Sequence, residues 1–323
     1  MAKRVAPNQE TFHKQQEILS GNGEEKFVMT LFLVLFLAAR IHPVSGPIGA
    51  MSDQDRVAAF TRVYGASLED KMLWWSSLFF GTPYHLDPLG EGAEGRYDTD
   101  PVITYDRADC LSYVQMVMAF SLAEGPRQVL PWLLHIRYAG GKPVFSRRFY
   151  TMAKGWIAAM RRLEVLQDVT RALGGDAAER ATIDLDHKTA WSKSALRRFR
   201  ILGSLAPTGR ASIDYLRMRT LEGLGRRLPK ILIASIVRKP VASSPYLVSH
   251  VGFVVHRDGK LWFRHASRSP GRRHVEERHF AEYAEGLVTF VGRRGWRPVL
   301  GMNLNRLRRP PVGSVHFFQR RER

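Results

Sequence analysis

Cys110, the single cysteine among 323 residues, is the side chain best suited to covalent chemistry. It lies in YDRADCLSYVQMVMAF, directly after Asp109 and at the start of a long apolar run. The run predicts a buried helix over 110–123 that begins at the cysteine. A helix N-terminus and a nearby imidazolium both favour the thiolate, the reactive form of a cysteine. The alternative is that Cys110 is a small buried residue of the core.

Two histidines are the candidate base and its partner. His250 begins the run HVGFVVH, His265 lies near the end of KLWFRHA, and Asp258-Gly259 between them is typical of a hairpin turn. With those two residues as the loop, opposed residue numbers sum to 517. The histidines then share one face of the sheet as diagonal neighbours, about 7–8 Å apart, and we expect their rings to meet. Gly252 on that face leaves room beside His250, where we expect the helix of Cys110.

The three residues together favour nucleophilic catalysis. We predict that Cys110 is the nucleophile, that His250 is the general base and then the general acid, and that His265 orients His250. A metal site built from the same three residues is an alternative, but the sequence has no close ligand pair such as CxxC or HxxxH. We therefore predict neither a metal nor a cofactor.

The charge of the chain indicates an anionic partner. The formal net charge is +19 and the sequence pI is about 10.5. Nucleic acid, a membrane surface and a cell-wall polymer all satisfy this charge. The sequence has no helix-turn-helix, zinc-finger or RNP signature, which argues against nucleic acid.

A single cysteine excludes an internal disulfide.

An apolar run near the N-terminus predicts export. The thirteen residues FVMTLFLVLFLAA at 27–39 follow several basic residues and have the length of a signal-peptide core. Small residues follow, so cleavage near Ala50 fits; the alternatives are an uncleaved anchor and a buried helix. We therefore divide the chain into a leader at 1–50, one domain at 51–308 and a basic tail at 309–323. The predicted location is the periplasm or cell envelope.

The order of elements predicts an α+β fold with an antiparallel sheet. Two helices are expected between Ser52 and Tyr84, and a Gly-, Pro- and Asp-rich loop over 85–105. A second helical region is expected over 147–173, followed by a polar, basic stretch over 175–215. The predicted strands are KILIASIV, HVGFVVH, KLWFRHA and LVTFVGR.

Several motifs in this order resemble those of the NlpC-type, papain-like cell-wall peptidases, and more narrowly their N-acetylmuramoyl-L-alanine amidase-like branch. They are GTPY at 81–84, the Asp109-Cys110 pair and HVGFVV...GKLWFRHAS at 250–267. That branch also has two further patterns, which this chain matches with Ser146, Arg147, Tyr150 and Trp156, and with Asp168, Thr170, Gly174 and Gly175. The resemblance covers about residues 72–307.

The resemblance implies a papain-like core in which a helix carrying the cysteine packs on an antiparallel sheet carrying the histidine. It also implies that Tyr84 lies near the cysteine and helps to form the oxyanion or substrate site. This sequence departs from the branch at Ser112, Gln115 and Phe149, where Thr, Glu and His are usual, and lacks a Gly-Asp pair before the histidine strand. These departures bear on substrate specificity.

The predicted function is a cysteine-dependent peptidoglycan amide hydrolase, by resemblance an N-acetylmuramoyl-L-alanine amidase. The predicted substrate-binding residues are Tyr84, Asp109 and Arg147, the last as a contact for stem-peptide carboxylates. The predicted partner is peptidoglycan or a muropeptide, with no nucleic acid and no integral membrane domain after leader removal; the oligomeric state is open. The alternatives are a stem-peptide endopeptidase of the same fold and a non-catalytic binder of anionic cell-wall polymer.

Overall fold

A computed structural model describes residues 47–186, 193–294 and 297–311 of the chain. The helices are α1 Asp53–Arg62, α2 Leu68–Ser77, α3 Cys110–Leu122, α4 Pro126–Arg137, α5 Ala158–Arg162, α6 Thr170–Gly174, α7 Lys193–Leu202, α8 Met218–Leu224 and α9 Phe280–Arg294. The strands are β1 Leu166–Asp168, β2 Glu179–Asp184, β3 Arg210–Tyr215, β4 Ile231–Arg238, β5 Val248–Arg257, β6 Lys260–Ala266, β7 Val275–His279 and β8 Val299–Leu307. The predicted leader run at 27–39 and residues 312–323 of the predicted tail lie outside the described residues.

The central element is a six-stranded sheet in the order β1-β8-β4-β5-β6-β7, with every pair antiparallel. The α+β class and the antiparallel sheet are therefore confirmed. Strands β4, β5 and β6 coincide with three of the predicted runs, whereas β1, β7 and β8 were not predicted. Strand β4 is buried along its whole length, as expected of a central strand covered on both faces.

One face of the sheet is covered by the N-terminal helices. Helix α3 is apolar around its circumference and buried from Ser112 onwards, as predicted. The Tyr113 ring meets Phe253 of β5 edge-on at 5.4 Å, and Phe120 stacks on Trp75 of α2 at 4.6 Å. Aromatic pairs of this kind hold α2 and α3 against the sheet.

The other face is covered by α8 and α9, and here one predicted strand is wrong. LVTFVGR, at 287–293, lies within α9. The helix places Phe280, Tyr283, Ala284 and Leu287 on the core. This i, i+3, i+4, i+7 spacing begins upstream of the predicted strand and outweighs the strand propensity of its β-branched residues.

The stretches at 147–173 and 175–215 contain more elements than predicted. The first comprises a π-helix at Met152–Ile157, then α5, β1 and α6. The second forms an antiparallel hairpin of β2 and β3 with α7 between the strands. Asp214 of β3 accepts hydrogen bonds from Arg171 and Arg180, which ties this hairpin to α6.

The predicted loop at 85–105 is held in place by two arginines and a tyrosine. Arg148 forms ion pairs with Asp87 and Asp98 inside it. Arg137 of α4 donates to the Leu89 carbonyl at 2.7 Å, and the Tyr138 hydroxyl donates to the Gly90 carbonyl at 2.9 Å. Because these contacts fix the loop directly before α3, they also help to fix the start of that helix.

Across the ranges that the structure describes, no helix has both the length and the apolar character needed to cross a membrane.

Candidate active site

Cys110 is the first residue of α3 and sits at a well-capped helix start. The Asp109 carboxylate accepts a hydrogen bond from the Ser112 backbone N–H at 2.7 Å, and the Ser112 hydroxyl accepts one from the Asp109 N–H at 2.8 Å. This reciprocal capping box satisfies two backbone donors of the first turn and fixes where the helix begins. Cys110 as a whole residue is partly exposed.

The predicted hairpin register of the two histidines is confirmed. Strands β5 and β6 pair with opposed residue numbers that sum to 517, as in Phe253 opposite Arg264. His250 Nε2 lies 2.9 Å from His265 Nδ1, within hydrogen-bonding distance. His250 is partly exposed, whereas His265 is buried. Because Nε2 of His250 is taken by His265, its Nδ1 is the nitrogen left to exchange a proton with another group.

The expectation that α3 packs beside Gly252 is wrong. Side chains alternate along β5, so Phe253, which contacts α3, lies on the opposite face from His250 and Gly252. The space at Gly252 is taken by β6 itself. A Cβ atom there would lie 2.6 Å from the Arg264 carbonyl oxygen and 2.9 Å from the His265 Cβ.

The Cys110 sulfur lies against β5 at the point where the pairing of β5 with β6 ends. Pairing of β5 with β6 ends at Phe253 and Arg264, although β5 continues back to Val248 and β6 forward to Ala266. The Val251 backbone N–H at this point is directed at the Cys110 sulfur and lowers the pKa of the thiol. The sulfur therefore lies close to the residue next to His250.

Desolvation favours the neutral forms of the cysteine and the two histidines. Desolvation, with a smaller effect of the Asp109 charge, raises the pKa of the Cys110 thiol to about 12. Desolvation and then the charge of Arg238 lower the pKa of His250 to about 4. At neutral pH the pair is thus a thiol and a neutral imidazole. The sequence predicted a thiol pKa lowered by the helix N-terminus, and the structure has the opposite shift.

This charge state predicts an unusual pH dependence of thiol alkylation. The rate at which iodoacetamide modifies Cys110 should rise about tenfold per pH unit from pH 7 to 10, because the thiolate fraction is still small throughout that range. The rate would be followed by mass spectrometry, with glutathione as a control that levels off near its own thiol pKa. A rate that is already constant below pH 7 would mean a preformed thiolate–imidazolium pair and would contradict the prediction.

The three predicted substrate-binding residues lie in different settings. Tyr84 is buried next to the cysteine: desolvation, then the nearby Cys110 and Asp109, raise its pKa, so its hydroxyl stays protonated. The Asp109 carboxylate is occupied as the helix cap and also accepts the Asp87 backbone N–H at 3.2 Å. Arg147 is exposed and donates to the Ala139 carbonyl at 3.5 Å. Substrate contact by each of them stays a prediction.

The departures from the family pattern have structural consequences. Ser112 completes the capping box, as a threonine hydroxyl in its place would. Gln115 is buried and accepts a hydrogen bond from Arg137 at 2.6 Å. Burial lowers the pKa of Arg137, and a glutamine, unlike the usual glutamate, provides no compensating charge.

Two charged residues near the histidines escaped the sequence analysis. Glu276 lies directly opposite His265 on β7. Arg238 at the end of β4 is buried, donates to the Ser249 hydroxyl at 2.8 Å and contributes to the lowered pKa of His250. The sequence signal for Glu276 was weak, because β7 reads VEERH, which has no alternating apolar pattern.

The alternative metal site finds no support in the arrangement. No cluster of three or more His, Cys, Asp or Glu side chains within the described ranges is arranged to hold an ion. The two histidines approach each other through His250 Nε2 and His265 Nδ1, and these nitrogens face one another.

The fold and this site together define an α+β protein with a cysteine at a helix N-terminus beside a hydrogen-bonded pair of histidines. Residues 74–289 match the model of the AmiA-like family, described as N-acetylmuramoyl-L-alanine amidase-like. The chain therefore belongs to that family. A search of curated proteins gives no match.

Solved structures with a similar fold include proteins from two bacteria. Protein LPG0564 from Legionella pneumophila superposes with a TM-score of 0.65 at 22% identity, covering 81% of this chain and 97% of that one. An N-acetylmuramoyl-L-alanine amidase from Bacteroides uniformis superposes with a TM-score of 0.52 at 21% identity, covering 75% and 99%. At these identities the likeness is one of fold. The finer assignment of the core as papain-like stays a prediction.

Proposed function

We propose that this protein is a cysteine-dependent hydrolase of peptidoglycan that cleaves the amide between N-acetylmuramic acid and L-alanine. The observation that carries the proposal is the placement of Cys110 against the strand of His250, whose ring is held by His265 at 2.9 Å. Family membership supplies the substrate class. Export to the periplasm or cell envelope, which peptidoglycan requires, is part of the proposal.

The first half of the reaction forms an acyl-enzyme. As the Cys110 sulfur attacks the lactyl carbonyl carbon, His250 Nδ1 takes the thiol proton and a C–S bond forms. The carbonyl oxygen becomes negative and is stabilised by backbone N–H groups at the start of α3 and by the Tyr84 hydroxyl. His250 then gives its proton to the departing nitrogen, the C–N bond breaks, and a peptide with a free L-alanine amino group leaves.

The second half hydrolyses the thioester. His250 removes a proton from water, and the hydroxide attacks the same carbonyl carbon. The C–S bond breaks, the muramic acid leaves as a carboxylic acid, and the sulfur recovers its proton from His250. No cofactor takes part in this sequence.

The charge around the site suits such a substrate. The Arg273 guanidinium lies 5.9 Å from the centre of the Tyr84 ring, and Arg268 is also close enough to lower the pKa of that tyrosine. Peptidoglycan stem peptides carry carboxylates, which arginines bind well. These two arginines on the β6–β7 connection are therefore placed to hold the peptide, together with the predicted Arg147.

The test is the identity of the products. The purified chain would be incubated with muropeptides and the products followed by mass spectrometry, beside Cys110→Ala. We expect the unmodified protein, and not the variant, to release a peptide with a free L-alanine amino terminus. Cleavage within the stem peptide would instead support the endopeptidase alternative. Equal turnover by Cys110→Ala would overturn the cysteine mechanism, and binding without turnover would favour the non-catalytic alternative.

A further inference from the structure

A carboxylate lies at the far end of the histidine pair. In the β6–β7 register, Glu276 is directly opposite His265. Its Oε1 lies 3.6 Å from His265 Nε2, and the exposed fractions of the two side chains are 14% and 5%. The His265 Nε2 atom is buried and forms no hydrogen bond within the described residues, and the Glu276 carboxylate lies just beyond hydrogen-bonding distance of it. His250, His265 and Glu276 thus form a series of neighbouring side chains, and the Val251 N–H, next to His250, is directed at the Cys110 sulfur.

The direction of the hydrogen bonds along this series decides whether His250 can act as a base. A neutral imidazole carries one proton, on one of its two nitrogens. If His265 keeps its proton on Nε2, its Nδ1 accepts the Nε2–H of His250, and His250 Nδ1 has a free lone pair for the thiol proton. If His265 keeps its proton on Nδ1, it donates to His250 Nε2. The His250 proton then sits on Nδ1, and the base is blocked.

We propose that Glu276 is a positioning residue, whose carboxylate holds the proton of His265 on Nε2 and so leaves His250 Nδ1 free to accept the proton of Cys110. The inference rests on the proposed cysteine mechanism. A negative acceptor beside Nε2 favours the Nε2–H form of His265, because a carboxylate accepts hydrogen bonds and has none to donate. It also stabilises the positive charge that His250 gains during attack.

The other groups around the histidines make the position of the proton more important than the charge of His265. Desolvation lowers the pKa of His265 and His250 lowers it further, while a backbone hydrogen bond at Ala266 raises it by more than Arg278 lowers it. Tyr283 of α9 lies edge-on to the ring at 5.0 Å. His265 therefore stays neutral near pH 7, and what remains to be fixed is its tautomer.

The neighbouring Glu277 provides a matched control. It lies on the same strand and is as buried as Glu276, but it faces the other side of the sheet. Arg257 and Arg264 both form ion pairs with it. Among the described residues, no arginine forms such a pair with Glu276. The ion pairs give Glu277 a structural role. They do not explain why Glu276 is oriented towards His265.

The first test measures kcat and KM against pH for Glu276→Gln and Glu277→Gln. For Glu276→Gln we expect kcat to fall about tenfold or more with KM unchanged, and the acid limb of kcat/KM to move to lower pH. The acid limb moves to lower pH because loss of a negative charge disfavours the protonated histidine pair. Glu277→Gln should lower the urea midpoint and leave the acid limb in place, and Glu276→Asp should restore part of kcat. An unmoved acid limb in Glu276→Gln would overturn the proposal.

The second test does not depend on amidase activity. With ¹⁵N-labelled histidine, NMR chemical shifts distinguish protonated from unprotonated ring nitrogens in the free protein. We expect His265 to be protonated on Nε2 in the unmodified protein and to lose this preference in Glu276→Gln. The same tautomer in both proteins would overturn the role of Glu276. If the tautomer changes while no muropeptide is cleaved, the proposed function fails and the positioning role stands.

Discussion

Replacing His250 by alanine is expected to lower kcat/KM for muropeptide cleavage by at least about a thousandfold. General acid–base catalysis by a positioned side chain contributes about 10²–10⁴ in rate. His250 serves in both halves of the reaction, and the thiol, with its pKa near 12, depends on it for deprotonation. The effect should therefore lie at the upper end of that range and should appear in kcat, since the imidazole acts on the reacting atoms.

His256→Ala is the control for this variant. His256 lies on the same strand and the same face, six residues further along β5, which is about 20 Å at the rise of an extended chain. We expect it to retain nearly full activity. A His250→Ala protein with more than a tenth of the normal rate, or an equal loss in the control, would remove His250 from the mechanism.

The pH profile of the unmodified protein checks the same role. Because the base must be neutral to accept a proton, kcat should decrease as the pH falls through the His250 pKa of about 4. The unfolded chain binds a proton at this residue below about pH 6.5 and the folded chain does not, so stability also declines as the pH falls from 6.5 towards 4. Circular dichroism at each pH separates the two effects. An acid limb near pH 6.5 in a folded protein would contradict the lowered pKa of His250.

The part of the site that could be predicted from sequence depends on local geometry. The turn at Asp258-Gly259 has positive φ at both residues, 53° and 71°, as a two-residue hairpin loop requires. Such a loop fixes the register, and the register fixes which side chains share a face. The contact between His250 and His265 follows from those two facts alone. The start of α3 could also be predicted from local sequence, because Asp109 and the apolar run determine it.

The packing of α3 could not be predicted in the same way. Both faces of β5 are largely apolar, with Val251 and Phe253 on one and Gly252 and Val254 on the other. Register tells which residues share a face but not which face a given helix covers. That choice depends on α9, which packs against the face of Val254 and leaves the other to α3. The strand propensity of residues 287–293 led to the prediction of a strand where the structure has α9.

The raised pKa of the thiol and the proposed role of Glu276 could not be predicted from the sequence for a different reason. The shift of the Cys110 pKa comes first from burial, which is a property of the assembled tertiary structure. The partner of His265 comes from β7, a strand whose charged sequence becomes recognisable only through its pairing with β6. Motif spacing thus located the candidate catalytic residues, while their protonation depends on neighbours that are distant in sequence.

Gly252→Ala is expected to lower kcat about a hundredfold although residue 252 itself takes no part in the reaction. The added Cβ would lie 2.6 Å from the Arg264 carbonyl oxygen, 2.8 Å from the Phe263 ring and 2.9 Å from the His265 Cβ. The first of these atoms belongs to the backbone and cannot turn aside, so β5 and β6 must separate. Since His265 is carried by β6, its ring moves relative to His250, and a misplacement of about 1 Å can cost about 10² in rate.

The same crowding should also destabilise the fold, by about 1–3 kcal/mol in the free energy of unfolding. Urea denaturation would measure this loss, with Gly223→Ala of α8 as the control, because a Cβ at that position meets no atom within 4 Å. The decisive measurement is kcat in the folded variant. A Gly252→Ala protein that is less stable but cleaves muropeptides at the normal rate would show that the histidine pair tolerates displacement, and that its 2.9 Å contact is not what activates Cys110.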